Sequence, residues 1–383
     1  MTRTFSAAKI ALVHDYLNEH GGAENVVEVW LEMFPNAPLY TSLFQPQVMS
    51  PAFQQARVQS SFMQALPKRK AIAKGYLPLY PLAFRRFDFS AFDVILSSAS
   101  SFAKWVNKSN ALHFCYCHTP TRFLWMSGEY LGREGIAGLK RRVLLPLLDR
   151  LRAADYRAAQ AVDYFIANSQ TTAERIRRFY GRESVVINPP VRLAEFAGQP
   201  LTPAPKLSDG GYFLCLSRLL PYKRIDLAVQ AANLAQLPLV VIGDGPARAQ
   251  IAQMAGPTVR VLGRLSRAET LDYIRGCTAF VFPGVDDFGI TPLEVMAAGR
   301  PVIAFGEGGA LETVVAGTTG SFFAKQEGQL LAEVLTAFDP AAFDPATCRA
   351  RAAEFDVAHF SRKLLAFVSE RYEQGSAGSQ SAS

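Results

Sequence analysis

The chain alternates short apolar runs with longer stretches of helical character. The runs are rich in β-branched and aromatic residues, as in buried strands: Lys9–His14, Val94–Ser98, Leu112–His118, Tyr164–Asn168, Tyr212–Ser217, Leu239–Ile242, Val259–Leu262, Ala279–Phe282 and Val302–Phe305. Strands that alternate with helices build parallel sheets covered on both faces. The pattern therefore predicts an α/β protein.

The alternation breaks once, near the middle of the chain. Asn188–Val191 reads Asn-Pro-Pro-Val, and Leu193–Gly210, rich in Pro, Ala and Gly, has no clear period, which is typical of a linker. At 383 residues the chain is long enough for two domains of roughly 100–200 residues each. We expect Rossmann-like domains at 1–190 and 191–356 that face a cleft, and a disordered tail at 375–383.

Composition and charge narrow the classes of protein to which the chain can belong. With 49% hydrophobic and 19% charged residues, the chain is globular. A net charge of +7 attracts phosphates, nucleic acid or an anionic membrane and does not choose among them. No run has the roughly 18 apolar residues of a transmembrane helix, and Met1–Ala8 lacks the apolar core of a signal peptide. We expect a cytoplasmic protein, soluble or peripheral on the membrane face.

The cysteines favour a reducing compartment, because they are five in number and most lie in apolar, strand-like runs. Cys115 and Cys117 point the same way on a predicted strand, with His113 and His118 nearby. A metal site is conceivable there, although buried free cysteine is ordinary strand filling. We expect no metal.

Two loops have the chemistry of phosphate sites. Gly21-Gly22 opens a helix after the first strand, where backbone N–H groups can meet a phosphate, although a glycine pair is as often only a turn. The spacing is not the Gly-x-Gly-x-x-Gly fingerprint of dinucleotide sites. Arg218 ends the first strand of the second domain and Lys223 follows five residues later, which suits a diphosphate or a solvated basic turn.

A third loop, Phe282–Gly299, carries carboxylates between a buried strand and a helix. Thr291, Pro292 and Glu294 have the spacing of a capping box, which would give Glu294 a structural role. The box does not account for Asp286 and Asp287. An acidic side chain at this helix start could instead accept hydrogen bonds from two sugar hydroxyls.

In their joint order along the chain, these segments resemble the large retaining glycosyltransferase family numbered four, which has the GT-B fold. The matching pieces are Gly21–Gly22, Tyr116–Arg122 with Trp125, Phe165–Ser169, Asn188–Val191, Ser217–Arg218 with Lys223, Ile242–Pro246, Leu262–Arg264, Asp286–Glu294 and Gly308–Val314. The resemblance extends from Lys9 to Tyr372 and is greatest to mannosyltransferases of bacterial polysaccharide assembly. It implies a C-terminal helix, about 357–374, that crosses back to the N-terminal domain.

One position departs from the family. Its Glu-x7-Glu motif corresponds to Asp286 and Glu294 here, with seven residues between them. Asp286 is one methylene shorter than the usual Glu, so Asp287 is an alternative to it.

The resemblance implies roles for the matching residues. Those assigned to the donor are Gly21, Gly22, Arg218, Lys223, Leu262, Gly263, Arg264, Asp286, Gly289, Ile290, Thr291 and Glu294. Arg218 and Lys223 would hold the diphosphate and Glu294 the ribose hydroxyls, while Leu262–Arg264 would lie near the base. Gly289–Thr291 and Asp286 would meet the sugar.

His118 would lie beside the anomeric centre, so His118, Asp286 and Glu294 are the candidate catalytic residues. A histidine buried in a core strand is the plain alternative for His118. Retaining transfer needs a stabilised leaving diphosphate and an oxocarbenium-like sugar, without an obligatory protein nucleophile. The chain contains no Asp-x-Asp motif, so we expect no cofactor and no obligatory metal.

The acceptor is expected to be lipid-linked or a polysaccharide precursor. Cations and aromatics interleave in one segment that carries Lys68, Arg69, Lys70, Lys74, Arg85 and Arg86, and the mixture repeats over Leu139–Arg157. Such a face suits anionic headgroups, and a solvated basic helix is the alternative.

GDP-mannose is the donor that the subgroup resemblance favours, and a UDP-sugar is the alternative. A sugar-nucleotide epimerase, a phosphorylase or a noncatalytic sugar-nucleotide-binding protein would have the same overall fold. A nucleic-acid-binding protein would share the pI of about 9.2, but no reader motif is present. The sequence does not name the linkage or the oligomeric state.

Overall fold

The computed structural model describes residues 4–19, 21–66, 73–126, 138–196 and 211–378, with 73–75, 138–144 and 376–378 described by backbone only. These residues form two compact units. Unit 1 runs from the N terminus to Pro190 and takes up the chain again from Ala358, whereas unit 2 spans Val191–Val357. Each unit contains one parallel sheet.

The described part of unit 1 contains a seven-stranded sheet. Its strands are β1 Ile10–His14, β2 Leu39–Thr41, β3 Val58–Ser60, β4 Val94–Ala99, β5 Leu112–Cys117, β6 Tyr164–Ala167 and β7 Ser184–Val186. Their order is β3-β2-β1-β4-β5-β6-β7, and every pairing is parallel. β2 and β3 are therefore added on one side of β1, and β4 to β7 are added in order on its other side. The strand order thus reverses between β1 and β4.

Helices connect these strands. In the described residues they are α1 Gly22–Met33, α2 Pro51–Gln55, α3 Tyr80–Arg85, α4 Arg122–Trp125, α5 Gly138–Gln160 and α6 Gln170–Tyr180, together with short 3-10 turns. Ser169 begins α6 by accepting a hydrogen bond from the Thr172 N–H, and Gly181 ends it with φ of 64°. Both features are ordinary helix signals in the sequence.

The last helix of the chain, Val357–Gly378, belongs to unit 1. Its Phe367 packs edge-on against Phe114 and Tyr164, and its Phe360 against Tyr116. The helix continues through residues 375–378, the start of the predicted tail. Residues 379–383 lie outside the described part.

The described part of unit 2 contains a six-stranded sheet in the order β10-β9-β8-β11-β12-β13. Its strands are β8 Phe213–Leu216, β9 Leu239–Ile242, β10 Val259–Gly263, β11 Ala279–Phe282, β12 Val302–Phe305 and β13 Gly320–Phe323. All are parallel. This sheet reverses between β8 and β11.

Helices cover both faces of the unit 2 sheet. The described ones are α7 Ile225–Ala235, α8 Arg248–Met254, α9 Arg267–Gly276, α10 Ile290–Ala297, α11 Ala310–Thr313, α12 Gly328–Ala337 and α13 Pro345–Ala353. Successive residues of a strand enter opposite cores: Cys215 packs with α7 and α12, whereas Leu214 packs with α10 and α13. The apolar runs of the sequence are continuous because both faces are buried.

The start of unit 2 differs from the predicted linker. The Val191 N–H donates to the Phe355 carbonyl oxygen at 2.8 Å, and Leu193–Glu195 form a 3-10 turn. Phe196 is buried in the unit 2 core. The linker prediction is therefore wrong for residues 193–196, because the side chain of Phe196 packs in the unit 2 core. Residues 197–210 lie outside the described residues.

Candidate active site

In unit 2, the loops that follow β8 and β11 meet at the point where the sheet reverses. α/β sheets bind ligands at the carboxyl ends of strands at such a point. The two backbones approach closely, since a Cβ on Gly284 would lie 2.8 Å from both the Cα and the carbonyl oxygen of Lys223. Only glycine allows this packing, which brings Lys223 against the acidic loop.

Lys223 and Asp286 form an ion pair in this packing. The two side chains are 16% and 17% exposed. Oδ1 of Asp286 is buried and accepts no hydrogen bond within the described residues. The family resemblance implied the diphosphate for Lys223 and the sugar for Asp286, and the structure joins the two side chains into one charged pair.

The helix after this loop begins earlier than predicted. Gly289, with φ of 83°, is the N-cap of α10, and no side chain caps the helix. Thr291, Pro292 and Glu294 are therefore its second, third and fifth residues, and the capping box is wrong. The left-handed conformation of Gly289 turns the chain into the helix early, and Pro292 fits the first turn because its position needs no N–H partner. The N–H groups of Ile290 and Thr291 lie in this uncapped turn.

Glu294 contacts a cation instead of the helix terminus. Its Oε1 lies 3.5 Å from Nη2 of Arg267, and the side chain is 15% exposed. Arg267 also donates to Oε2 of Glu195 from Nη2 at 2.7 Å and from Nε at 3.1 Å. Burial raises the pKa of Glu294 above its ordinary value, against the opposing effect of Arg267. The sequence did not indicate Arg267 or Glu195, which lie far from Glu294 along the chain.

The turn assigned to the base lies at the end of β10. Gly263 has φ of 75°, and its carbonyl oxygen accepts from the Gly243 N–H at 2.8 Å. Leu262 is half-buried and Arg264 exposed. Arg218 is also exposed and follows β8. β8 pairs with β9, the strand that Gly243 follows. The predicted phosphate and base residues of unit 2 are thus all at one edge of its sheet.

In unit 1, the reversal point of the sheet carries a line of buried polar side chains. His14 ends β1, and its Nδ1 lies 3.0 Å from Oγ of Ser98 on the adjacent strand β4. The other ring nitrogen, Nε2, lies 3.0 Å from Oε1 of Glu24 in the first turn of α1. Ser98 Oγ in turn lies 2.8 Å from Nε2 of His118. His118, predicted as a site residue, is thus connected to three residues that the sequence did not indicate.

The charges along this line are set by burial and by the Glu24 carboxylate. Burial disfavours the imidazolium of His14, but the hydrogen bond and charge of Glu24 outweigh it and raise the pKa of His14. The same pairing lowers the pKa of Glu24 in spite of burial. Burial and the charge of His14 lower the pKa of His118 to about 3. We infer an imidazolium at His14 and a neutral ring at His118.

Two other carboxylates hold the loops around His118. Asp15 accepts hydrogen bonds from four successive N–H groups, those of residues 100–103, at 2.6–2.8 Å.

Gly21 and Gly22, predicted to face phosphates, are exposed at the start of α1, and the Asn25 N–H donates to the Gly21 carbonyl oxygen. The glycine pair therefore opens the helix as expected.

Asp155 on α5 is the second of these carboxylates and is fully buried. It pairs with Nζ of Lys104 at 2.6 Å. It also accepts from the indole N–H of Trp105 at 3.0 Å, the indole N–H of Trp125 at 2.8 Å and the Tyr180 hydroxyl at 2.8 Å. This hub ties α5 to the segment that follows His118.

The basic and aromatic segment is only partly described. Lys68, Arg69 and Lys70 lie outside the described residues, and Lys74 is described by backbone only. Arg85 and Arg86 are exposed at the end of α3, and their guanidinium groups lie over the rings of Trp105 and Phe62 at 5.5 and 5.1 Å. These two cations therefore also pack against aromatic rings. The second stretch, Leu139–Arg157, lies within α5.

Among the described residues, the cysteines lie in the core and not in a metal site. All five cysteines are buried thiols, and His113 Nε2 lies 2.7 Å from Ser97 Oγ. Burial raises the pKa of Cys115 to about 12. Within the described ranges, no group of three or more His, Cys, Asp or Glu residues is arranged to hold a metal ion. None of the helices described there combines the length and apolar character needed to cross a membrane.

Two family models match the chain, one on either side of residue 200. The model of Glycosyltransferase Family 4 matches residues 20–195, and that of Glycosyl transferases group 1 matches residues 203–338. Together they span most of the chain.

Curated relatives are similar over parts of the chain. An alpha-1,3/1,6-mannosyltransferase of Dictyostelium discoideum is 59% identical over 44 residues, which are 12% of this chain and 10% of that protein. A GDP-mannose-dependent alpha-(1-6)-phosphatidylinositol monomannoside mannosyltransferase of Mycolicibacterium smegmatis is 28% identical over 207 residues, 46% of this chain and 52% of that protein. The matches cover about half or less of the length of these relatives.

A solved structure extends the similarity to nearly the whole chain. The crystal structure of HepE from Anabaena in complex with UDP-glucose has a TM-score of 0.71 and 18% identity, and the match covers 94% of this chain and 99% of that chain. At this identity the likeness shows the fold, and the predicted GT-B fold is confirmed. The two family models, which together match residues 20–195 and 203–338, show that the chain belongs to the family 4, group 1 glycosyltransferases.

Proposed function

We propose that the protein is a retaining glycosyltransferase that moves mannose from GDP-mannose to a lipid-linked or polysaccharide-precursor acceptor. The observation that carries the proposal is the carboxyl end of the unit 2 sheet, where Arg218 and the Lys223–Asp286 pair lie on the loops after β8 and β11, and the half-buried carboxylate of Glu294 lies on α10, the helix that follows the second loop. Cations for a diphosphate and a carboxylate for hydroxyl groups are the chemistry that a sugar nucleotide requires.

In the proposed reaction, the nucleoside diphosphate is both leaving group and base. Arg218 and Lys223 stabilise the charge that develops on the departing phosphate, as cationic and backbone donors do for leaving groups generally. Glu294 accepts from the ribose hydroxyls, and Asp286, through its Oδ1, accepts from a sugar hydroxyl. The acceptor hydroxyl attacks on the face that the diphosphate leaves, and a phosphate oxygen takes its proton. His118 lies beside the reacting sugar carbon, and Gly21 and Gly22 meet the phosphates.

The donor is tested by thermal stabilisation against a panel of sugar nucleotides. A ligand at 100 times its Kd adds about 2.7 kcal/mol to the free energy of unfolding, which a melting curve resolves. The mannosyltransferase of Mycolicibacterium smegmatis supports GDP-mannose, whereas the Anabaena structure contains UDP-glucose. We expect GDP-mannose to stabilise the protein most. Stabilisation by UDP-sugars without any by GDP-mannose would replace this donor and leave the fold unaffected.

The reaction class is tested with a radiolabelled donor and extracted lipid-linked acceptors. Transfer of label to the acceptor, with retained anomeric configuration, is the expected result. Label that stays in an isomerised nucleotide sugar would indicate an epimerase, and label recovered as sugar phosphate would indicate a phosphorylase. Donor binding without any turnover would indicate a noncatalytic binding protein.

A further inference from the structure

Four buried side chains in unit 1 form an unbroken line of hydrogen bonds that ends on His118. The line runs from Glu24 to His14, from His14 to Ser98, and from Ser98 to His118, at 3.0, 3.0 and 2.8 Å. All four residues are at most 9% exposed. At this depth each contact must pair a donor with an acceptor, because an unpaired polar group would be costly.

The Ser98 hydroxyl makes the protons of the two histidines interdependent. A hydroxyl has a single proton, so it can donate to one ring nitrogen and must accept from the other. If Nδ1 of His14 carries a proton, it donates a hydrogen bond to Oγ of Ser98. The Ser98 hydroxyl then donates to Nε2 of His118. If Nδ1 of His14 is bare, both directions reverse, and Nε2 of His118 must carry the proton.

The Glu24 carboxylate decides between these two arrangements. As an ion it can only accept, so Nε2 of His14 donates to it, and its negative charge favours a second proton on Nδ1 of His14. The raised pKa of His14 and the lowered pKa of Glu24 agree with this ion pair. Nε2 of His118 is then an acceptor, and the ring, being neutral, carries its proton on Nδ1.

We propose that Glu24, His14 and Ser98 are positioning residues that hold the proton of His118 on Nδ1, so that His118 offers a hydrogen-bond donor to the bound substrate. The role rests on the proposed function, in which His118 lies beside the reacting sugar. Among the described residues, none forms a hydrogen bond with Nδ1 of His118, which leaves that N–H for a ligand. An N–H donor suits oxygens that can only accept, such as those of the leaving phosphate.

Other charged and titratable groups face this line. Asp15 follows His14 and adds to the field that favours its imidazolium. Tyr16 lies within the influence of Glu24, and its pKa is raised by burial and by these carboxylates. The ring of Tyr116 packs edge-on against His118 at 5.1 Å. The carboxylates of Glu24 and Asp15 favour the charged form of His14. The charge of Glu24 also favours a charged His118, but burial and the charge of His14 outweigh it and keep the pKa of His118 low.

The proton on His118 can be located by NMR on the full chain labelled with 15N-histidine. Long-range proton–nitrogen spectra separate protonated from bare ring nitrogens, and His118→Asn identifies the His118 signals among the five histidines. We expect a protonated Nδ1 and a bare Nε2 at His118, and two protonated nitrogens at His14, near neutral pH. A protonated Nε2 at His118 in the parent protein would overturn the proposal.

The Glu24→Gln variant should reverse the line. When its amide oxygen accepts from Nε2 of His14, the missing charge makes His14 neutral. Nδ1 of His14 is then bare and accepts a hydrogen bond from the Ser98 hydroxyl. The proton of His118 then moves to Nε2. Glu28→Gln, one turn along the same helix and bonded to Ser50, is the matched control and should leave the His118 signals unchanged. The His14 signals report which of its nitrogens is protonated in the variant, because the amide could instead donate to Nε2 of His14 from its NH2 group. Unchanged His118 signals in folded Glu24→Gln with the His14 proton on Nε2 would contradict the relay.

A second variant covers the case in which Glu24→Gln does not fold. Ser98→Ala removes the link, so His118 should lose its single tautomer and show averaged nitrogen shifts. A purely Nδ1-protonated His118 in Ser98→Ala would mean that the line does not set the tautomer. In both variants the signals of His113, which bonds to Ser97 in the same sheet, should be unchanged and so report an intact fold.

Turnover separates this inference from the proposed function. We expect Glu24→Gln to lower kcat for sugar transfer about tenfold or more, as for the loss of one hydrogen bond to a charged group, with little change in the donor KM. A reversed tautomer with unchanged kcat would remove the functional role of the relay. If the parent transfers no sugar from any donor, the proposed function fails, and the NMR result still decides where the proton lies.

Discussion

Glu294 carries a charge that its surroundings compensate only in part. The cation beside it, Arg267, is 51% exposed, lies 3.5 Å away and binds Glu195 at shorter distances. Burial therefore keeps the pKa of Glu294 raised. Hydroxyl groups of a ligand would supply the hydrogen bonds that this carboxylate lacks, and they would favour its ionised form.

We predict that Glu294→Gln weakens donor binding and leaves the fold stable. The amide loses the charge and one of two acceptor oxygens, and a charge-assisted hydrogen bond contributes roughly 1.5–3 kcal/mol, so Kd should rise about tenfold or more. The melting temperature should change little, because Glu294 caps no helix. Donor Kd and melting temperature are measured on one preparation.

Asp344→Ala provides the opposite control. Asp344 accepts hydrogen bonds from the N–H groups of Ala346 and Thr347 at the start of α13. Its removal should lower the melting temperature and leave donor Kd unchanged. If Glu294→Gln binds donor like the parent, the donor site must be centred on Arg218 and Lys223.

His113 is predicted to make the fold sensitive to acid. Burial lowers the pKa of His113 to about 3, against an ordinary value of 6.5. The stability that its neutral ring provides is complete above pH 6.5 and falls as the pH drops towards the folded pKa. Between pH 6.5 and 5 the loss should be about 2 kcal/mol. Urea unfolding of the parent and of His113→Gln at both pH values measures this, and an equal pH dependence in the two proteins would refute it.

At the scale of elements, Asp155 joins α5 to the segment that follows His118. Its carboxylate is buried with the Lys104 ammonium, and Asp155→Asn would leave that cation without a counter-charge. Breaking a buried pair in this way costs about 3–5 kcal/mol. We expect urea unfolding to show a loss of this size.

Asp149→Asn is the matched control on the same helix. The Asp149 side chain is 63% exposed and pairs with Arg152 three residues later. Exposed pairs contribute at most about 1 kcal/mol, so this variant should unfold like the parent. Equal losses for Asp155→Asn and Asp149→Asn would mean that the buried hub does not hold the helix.

The basic and aromatic segment is predicted to bind anionic membranes. Changing Lys68, Arg69, Lys70 and Lys74 to Ser removes four charges, each worth about 1 kcal/mol at an anionic surface. Sedimentation with phosphatidylserine-containing vesicles should weaken, and soluble-donor Kd should stay the same.

A variant of equal charge tests whether location matters. Arg177, Arg178, Lys325 and Lys363 are exposed elsewhere in the chain, and changing them to Ser removes the same four charges. This variant should sediment like the parent. If both quadruple variants sediment equally, binding follows net charge and the segment is an ordinary solvated face.

The strands that the sequence predicted are those with a clear apolar, β-branched or aromatic pattern. All nine predicted strands are present, because each contains β-branched or aromatic residues in a short, mostly apolar run. Four strands of three or four residues were missed: β2 Leu39–Thr41, β3 Val58–Ser60, β7 Ser184–Val186 and β13 Gly320–Phe323. Their pairing with neighbours, rather than their own pattern, makes them strands.

At the scale of the whole molecule, the predicted chemistry depends on protein cations. Arg218 and Lys223 are assigned to the diphosphate, and backbone N–H groups can supplement them. We therefore predict that sugar transfer persists in EDTA. Complete loss of transfer in chelator, restored by Mg²⁺ or Mn²⁺, would show that a metal shares this task.

Contacts between distant residues set the limit of the sequence analysis. His118 was predicted because a local motif surrounds it, whereas His14, Glu24 and Ser98 meet it only through the pairing of β4 with β1 and β5 and the fold of α1. The local motif around Glu294 was misleading, because the backbone of Gly289 decides where the helix begins. Spacing along the chain identifies candidates, and strand register decides their partners.

Unit 2 is an insertion within unit 1, because the chain leaves unit 1 after Pro190 and re-enters it at Ala358. A ribosome therefore completes all of unit 2 before it makes the helix Val357–Gly378. Until then the rings of Phe114, Tyr116 and Tyr164 lack their aromatic partners on that helix. Unit 1 therefore remains incomplete during translation, with this aromatic face uncovered. A chain that ends before residue 357 would keep the face exposed, where chaperones and proteases can bind it.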